Sequence, residues 1–189
     1  MNLKKYIYLI ICITASVFTY ASDLSDKLKS SDYVLLMRHT LAPGIGDPVN
    51  YTLSECKSQR NLSTEGKEQA VFIGNWLKKQ GVLTAEVHSS AWCRCKDTAQ
   101  LLNFGEFKVE PALASFFDDM SFAKESNIKL QKFISNRIKS KGNKALILVT
   151  HHVNILEYVG ENVASGDMVL AKANQLGELI SYKLIPRPE

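Results

Sequence analysis

The sequence is poor in the features that mark non-globular chains. It holds only ten glycines and five prolines among 189 residues, and it contains no repeat and no low-complexity stretch. This composition excludes a collagen-like or disordered protein. Apolar residues make up 46% and charged residues 22% of the chain, as in an ordinary globular domain. The length suits a single domain with one catalytic cleft.

A strong charge bias and a metal-binding cysteine pattern are also missing. The 23 basic and 19 acidic residues give a net charge of +4, which is too weak a bias to indicate nucleic acid or a membrane surface as a partner. The four cysteines include Cys93-Arg94-Cys95, which is a C-x-C and not the C-x₂-C of a zinc clip. A zinc site is therefore not expected.

No hydrophobic run is as long as a membrane span. The longest covers residues 6–18, whereas about 20 apolar residues are needed to cross a bilayer. Two lysines precede this run, and Thr19-Tyr20-Ala21 follows it with small residues at the −3 and −1 positions of a cleavage site, which is typical of a secretory signal peptide. We predict a signal peptide over residues 1–21 and an exported domain, periplasmic or secreted, over residues 22–189. This domain is expected to have no stable membrane insertion after cleavage; a membrane anchor is the alternative.

Short apolar runs alternate with helical spacing along the rest of the chain. Strands are predicted at residues 32–38, 85–89, 107–110, 144–150, 167–172 and 178–184, and helices from Ser63 to residues 79–81 and at residues 94–103, 121–140 and 152–159. Alternating strands and helices predict an α/β domain, a three-layer α/β/α sandwich with a mostly parallel central sheet. The runs at 32–38 and 144–150 are typical of strands covered on both faces.

Each of these two buried strands is followed by histidine. Arg38-His39-Thr40 ends the first, and Thr150-His151-His152 ends the second. Because ligands of parallel sheets sit beyond the carboxyl ends of the strands, His39 and His151 are candidates for one site; a hydrogen-bonded turn residue is the alternative for each. Arg94, at the start of a helix, is a candidate anion contact or a solvated arginine. His88 lies inside a strand and is expected to be structural.

Four segments, in this order, resemble the signature of the histidine phosphatase (phosphoglycerate mutase-like) superfamily. They are LMRHT at 36–40, NLSTEGKEQA at 61–70, SSAWCRCKDTA at 89–99 and LVTHHVNI at 148–155, and the resemblance covers about residues 32–184. It implies that His39 is the nucleophile that takes the phosphoryl group of a small phosphorylated substrate. Arg38, Arg94 and His151 would bind phosphate, and no metal or cofactor is required. Arg60 is a further candidate phosphate contact, or else a solvated loop arginine.

The resemblance leaves the proton donor unassigned. Many members carry a glutamate in the loop after the third strand, where this chain has Ser115, and others carry aspartate where this chain has His152. Asp118 and Asp119 are the nearest acids in that loop and become the candidate donors. The alternative is a solvated pair that caps the following helix.

The family also bears on the cysteines. Cys95 takes a place where members have a small buried residue, which implies a free, packed thiol. Cys93 takes a more variable loop place, so the resemblance favours a Cys56–Cys93 disulfide over Cys56–Cys95.

We therefore expect a metal-independent phosphomonoesterase that acts through a phosphohistidine on a cell-envelope or small-molecule phosphate ester. A phosphate-binding protein or pseudoenzyme without turnover is the alternative.

Overall fold

The computed structural model describes residues 23–189, so the predicted signal peptide lies outside the described residues. Six strands form one sheet: β1 (Tyr33–Arg38), β2 (Ala85–Ser89), β3 (Phe107–Val109), β4 (Ala145–Thr150), β5 (Met168–Ala173) and β6 (Leu179–Ile185). Their order across the sheet is β3-β2-β4-β1-β5-β6. The two strands that were predicted to be most deeply buried, β1 and β4, therefore lie side by side at the centre.

Strand direction divides the sheet into two parts. β3, β2, β4 and β1 run parallel, and the register pairs Arg38 of β1 with Thr150 of β4. β5 and β6 add an antiparallel edge, because the short connection through residues 174–178 allows only a hairpin. The prediction of a mostly parallel sheet is confirmed.

Helices cover both faces of the sheet. They are α1 (residues 23–29), α2 (Thr64–Lys79), α3 (Cys93–Leu101), α4 (Ala123–Ile138) and α5 (His152–Val159). Because side chains alternate along a strand, Leu35 and Met37 of β1 pack toward α1, α2 and α3, while Val34 and Leu36 pack toward α4 and α5. The three-layer α/β/α sandwich is confirmed. Within residues 23–189, no helix is long and apolar enough to cross a bilayer.

The helix starts show where sequence signals were sufficient. α2 was predicted to start from Ser63, and Ser63 is its N-cap, since the Ser63 Oγ accepts a hydrogen bond from the Gly66 N–H at 3.0 Å. α4 begins at Ala123 rather than at residue 121, because Met120–Phe122 forms a separate 3₁₀ turn. Ile128 of α4 is exposed, and the buried side of this helix is formed by Leu130, Ile134 and Ile138.

Candidate active site

The carboxyl ends of β1 and β4 bring two histidines together. His39 follows β1 and His151 follows β4, and their ring centroids lie 5.6 Å apart. The parallel register that pairs Arg38 with Thr150 is the cause, because it places the next residue of each strand at the same edge of the sheet. Both histidines line a cleft of about 290 Å³.

The His39 ring is held in one protonation state. Its Nδ1 lies 2.8 Å from the Thr40 carbonyl oxygen, and since a carbonyl can only accept, Nδ1 must carry the hydrogen. Burial, together with the positive charges of Arg94 and Arg38, lowers the pKa of His39 to about 3. At neutral pH the ring is therefore uncharged, and Nε2 has a free lone pair.

The backbone that follows His39 is fixed by two of the recognised segments. The Thr40 N–H donates to Thr98 Oγ1 at 3.2 Å, and the Leu41 N–H donates to Gln69 Oε1 at 3.1 Å. A side chain at Gly66 would overlap the Leu41 carbonyl, so only glycine lets α2 approach this closely. The segments at 61–70 and 89–99 thus hold His39 in place.

His151 is enclosed by α3 and the turn that precedes it. Its Nε2 lies 2.8 Å from Ser90 Oγ and 3.5 Å from Cys95 Sγ, and its ring makes an edge contact with Trp92 at 5.1 Å. Burial, and next the neighbouring His39 and Arg94, lower the pKa of His151 well below its ordinary value. Like His39, it is neutral at physiological pH.

Two arginines are anchored to backbone carbonyls around the cleft. Arg38 Nη1 donates to the Val163 carbonyl at 2.8 Å. Arg60 Nε donates to the Gly46 carbonyl at 2.7 Å, and its Nη1 donates to Ala42. Both guanidinium groups also line the cleft. Arg60 is therefore a cleft residue and not a solvated loop arginine.

Arg94 makes an ion pair that the sequence did not reveal. Its Nη1 donates to both carboxylate oxygens of Asp47, which also accept from the Arg60 backbone N–H at 2.9 Å and from Trp92 Nε1 at 3.1 Å. Burial alone would raise the pKa of Asp47, but these donors outweigh burial and lower it. Asp47 lies in a loop that is rich in glycine and proline and has no periodic pattern of apolar residues. The only feature of the sequence that could have indicated its role is its position, eight residues after His39.

Two of the cleft arginines have spare hydrogen-bonding capacity. Among the described residues, Arg38 Nε and Arg94 Nε are buried donors without a hydrogen-bond partner. Such donors are rare in folded proteins, since a buried unpaired group costs about 1–3 kcal/mol. Both arginines line the cleft, so an anion bound there would meet two guanidinium groups.

The two candidate proton donors are placed differently. Asp118 lines the cleft beside Ser115 and accepts a hydrogen bond from the Tyr51 hydroxyl at 2.9 Å. Asp119 is not among the cleft residues. Its Oδ1 accepts from the Ser121 N–H at 2.9 Å and caps the 3₁₀ turn before α4. The capping alternative therefore describes Asp119, and of the two carboxylates only Asp118 lines the cleft.

The cysteines pair as favoured above. A disulfide joins Cys56 to Cys93, and Cys95 is a buried free thiol whose pKa burial raises to about 12. The Cys93 N–H also donates to Gln59 Oε1 at 2.9 Å. The segment that carries Arg60 is thus tied to the start of α3.

His88 lies away from this edge of the sheet. Its Nε2 is 2.5 Å from Glu86 Oε1, and its ring packs against Phe133 of α4 at 4.9 Å. These contacts agree with the structural role expected for it. Within residues 23–189, no three His, Cys, Asp or Glu side chains gather as a metal site would require.

The fold matches solved structures of several phosphatases. Protein histidine phosphatase SixA in complex with tungstate is 21% identical, with a TM-score of 0.53 over 81% of this chain and 94% of that chain. Phosphoserine phosphatase of Entamoeba histolytica, in complex with 3-phosphoglyceric acid, is 14% identical, with a TM-score of 0.58 over 79% and 95%. A mycobacterial glucosyl-3-phosphoglycerate phosphatase is 12% identical, with a TM-score of 0.57 over 82% and 97%.

These likenesses establish a shared fold, and they confirm the fold that the four sequence segments implied. No family model matches the sequence, and no curated protein is significantly similar to it.

Proposed function

We propose that the protein is a metal-independent phosphomonoesterase that acts through a phosphohistidine on His39. The observation that carries this proposal is the convergence, in one cleft, of a neutral buried imidazole with three guanidinium groups. A phosphoryl group is negatively charged throughout its transfer. Arg38, Arg60 and Arg94 supply positive charge that is fixed in place before the substrate arrives, which is the arrangement that favours the transition state.

The reaction divides into two steps. First, the Nε2 lone pair of His39 attacks phosphorus, the bond from phosphorus to the ester oxygen breaks, and the leaving oxygen takes a proton from the Asp118 carboxyl group. Next, water attacks the phosphohistidine, the P–N bond breaks, and the Asp118 carboxylate takes the proton of the water. One ester and one water thus give an alcohol and inorganic phosphate, through two easier steps instead of one.

We place this reaction outside the cytoplasm. The signal-like residues 1–21 and the Cys56–Cys93 disulfide support this, since disulfides persist in oxidising compartments. The substrate is then a phosphate ester of the cell envelope or a small molecule met there, a class suggested by analogy alone.

Phosphate release from an aryl phosphate tests the proposal. The purified domain should turn over steadily, with and without a chelator, and rapid acid quenching should trap an acid-labile, base-stable label on His39. His39→Ala should bind phosphate without turnover and without label. A near wild-type rate in that variant would contradict the covalent step, and loss of turnover with chelator would contradict the metal-free mechanism.

A phosphate-binding protein without turnover is the second candidate. One observation favours it: Ser115 stands where many histidine phosphatases carry their donor glutamate. The same assay separates the two functions, because a binding protein would retain phosphate in calorimetry and release none from the ester.

A further inference from the structure

Apolar side chains stand at the mouth of the phosphate cleft. Ile45 and Phe117 both line the cleft, although Ile45 is 91% exposed and Phe117 is 39% exposed. A single exposed apolar residue is ordinary, but apolar groups gathered at the rim of a polar site mark a place where a ligand binds.

Two glycines set the position of Ile45. Gly44 has φ +95° and Gly46 has φ +66°, a region that glycine adopts without the strain other residues incur. The carbonyl of Gly46 accepts from Arg60 Nε at 2.7 Å. The turn that presents Ile45 is therefore fixed to one of the phosphate-binding guanidinium groups.

Phe117 is the second exposed apolar residue of the cleft. Its ring packs on the His152 ring, with centroids 5.6 Å apart, and its backbone N–H donates to Ser115 Oγ at 3.2 Å. A Cβ placed on Gly46 would lie 3.8 Å from Phe117 Cε1, which is an ordinary contact distance, so the ring lies directly beside the turn that carries Ile45. Asp118, the next residue along the chain and the proposed proton donor, also lines the cleft, so a leaving group that reaches Asp118 would meet these apolar side chains.

We infer that Ile45 and Phe117 bind the organic part of the substrate, which is a phosphate monoester with an alkyl or aryl group next to the phosphate. This inference rests on the proposed function, since a phosphate held by the arginines fixes where the organic part begins. An apolar group would remove both side chains from water, which favours binding. A polyol phosphate would gain less from Ile45 and Phe117, because these two side chains offer no hydrogen bond to a hydroxyl group.

Calorimetry with n-alkylphosphonates, from methyl to hexyl, tests this inference. These ligands share one anionic head group, are not hydrolysed, and differ in apolar area alone. The Kd should fall about two- to fourfold for each methylene added, with an increasingly negative heat-capacity change. Ile45→Ser should raise the Kd of hexylphosphonate at least fivefold more than that of inorganic phosphate. Val49→Ser is the matched control, because Val49 lies in the same loop, is 90% exposed, and does not line the cleft.

A Kd that does not change with chain length would overturn the inference, as would equal effects of Ile45→Ser and Val49→Ser. A parallel turnover assay with alkyl phosphates separates this failure from that of the proposed function. Chain-length-dependent binding without hydrolysis of any ester would support the apolar subsite and contradict the phosphatase. Hydrolysis with a flat binding series would contradict the apolar subsite alone.

Discussion

The Asp47 carboxylate and the Arg94 guanidinium form a buried ion pair inside the cleft where we place the phosphate. Arg94 Nη1 lies 2.8 and 3.0 Å from the two Asp47 oxygens, and each side chain is only 4% exposed. An acid in an anion site weakens the binding of the anion. In the empty cleft, however, Asp47 balances one of three neighbouring positive charges.

Asp47→Asn should therefore change stability and phosphate affinity in opposite directions. Removing one partner of a buried pair costs about 3–5 kcal/mol, so the Tm of the free variant should fall. Phosphate should bind about fivefold more tightly, because about 1 kcal/mol of charge repulsion is removed. Calorimetry and thermal unfolding with and without phosphate measure both effects. Asp119→Asn is the control, since Asp119 lies outside the cleft. Weaker phosphate binding in Asp47→Asn would show instead that Asp47 acts mainly by positioning Arg94.

The role of Asp118 depends on the leaving group. A positioned proton donor contributes about 10²–10⁴-fold when the leaving group is a poor one. Asp118→Asn should lose most of its kcat on an alkyl phosphate and little on a nitrophenyl phosphate, whose leaving group needs no proton. Asp119→Asn should change neither rate by more than about twofold. Equal losses on both substrates would assign Asp118 a structural role.

Loss of the disulfide should affect both stability and the arginine site. Cys56 and Cys93 are 37 residues apart in sequence, and opening such a loop costs about 2–4 kcal/mol. The double variant with Cys56→Ser and Cys93→Ser should lose that much free energy of unfolding in urea. It should also bind phosphate more weakly, because the segment that carries Arg60 is released. The Cys95→Ser variant keeps the Cys56–Cys93 disulfide, so adding a reductant to it should cause the same loss of stability and of phosphate affinity. Unchanged phosphate affinity would show that hydrogen bonds alone hold Arg60.

The buried histidines make stability depend on pH. In the unfolded chain a histidine titrates near 6.5, whereas the pKa of folded His39 is about 3. Between these values the unfolded chain binds a proton that the folded chain does not. The free energy of unfolding therefore falls as the pH decreases from about 6.5 toward 3, by about 1.4 kcal/mol per pH unit for one such group, and the full stability is present above that range. His151 acts in the same direction.

Urea unfolding between about pH 4.5 and 7.5 checks this slope. His39→Gln removes one titrating group and should flatten the slope below about pH 6 by close to 1.4 kcal/mol per unit. Carboxylates contribute equally to both proteins and cancel in the comparison. Identical slopes would mean that His39 is protonated in the folded state.

The parts of the site that follow regular elements could be predicted from sequence. β1 and β4 are short apolar runs that end in Arg38-His39 and in His151, and parallel pairing leaves little freedom in where these residues meet. The capping of α2 at Ser63 was predictable for a similar reason, since it depends on neighbours along the chain.

The parts built by loops could not be predicted. Asp47 meets Arg94 because residues 41–61 fold back across the start of α3, and no periodic pattern encodes such a path. The difference between Asp118 and Asp119 likewise depends on a single 3₁₀ turn, which sends adjacent carboxylates in different directions.

The position of β1 in the sheet has a consequence for the order of folding. β1 is the first strand within residues 23–189, yet both of its neighbours, β4 and β5, come from the last third of the chain. Pairing between distant segments is slow, because a long loop must close before any contact is gained. During synthesis both edges of this apolar strand therefore stay unpaired until nearly all of the domain has been made. A chain with such unpaired strand edges is prone to aggregate. His39 and His151 come together only at this last stage, so the candidate active site would be among the last parts of the domain to form.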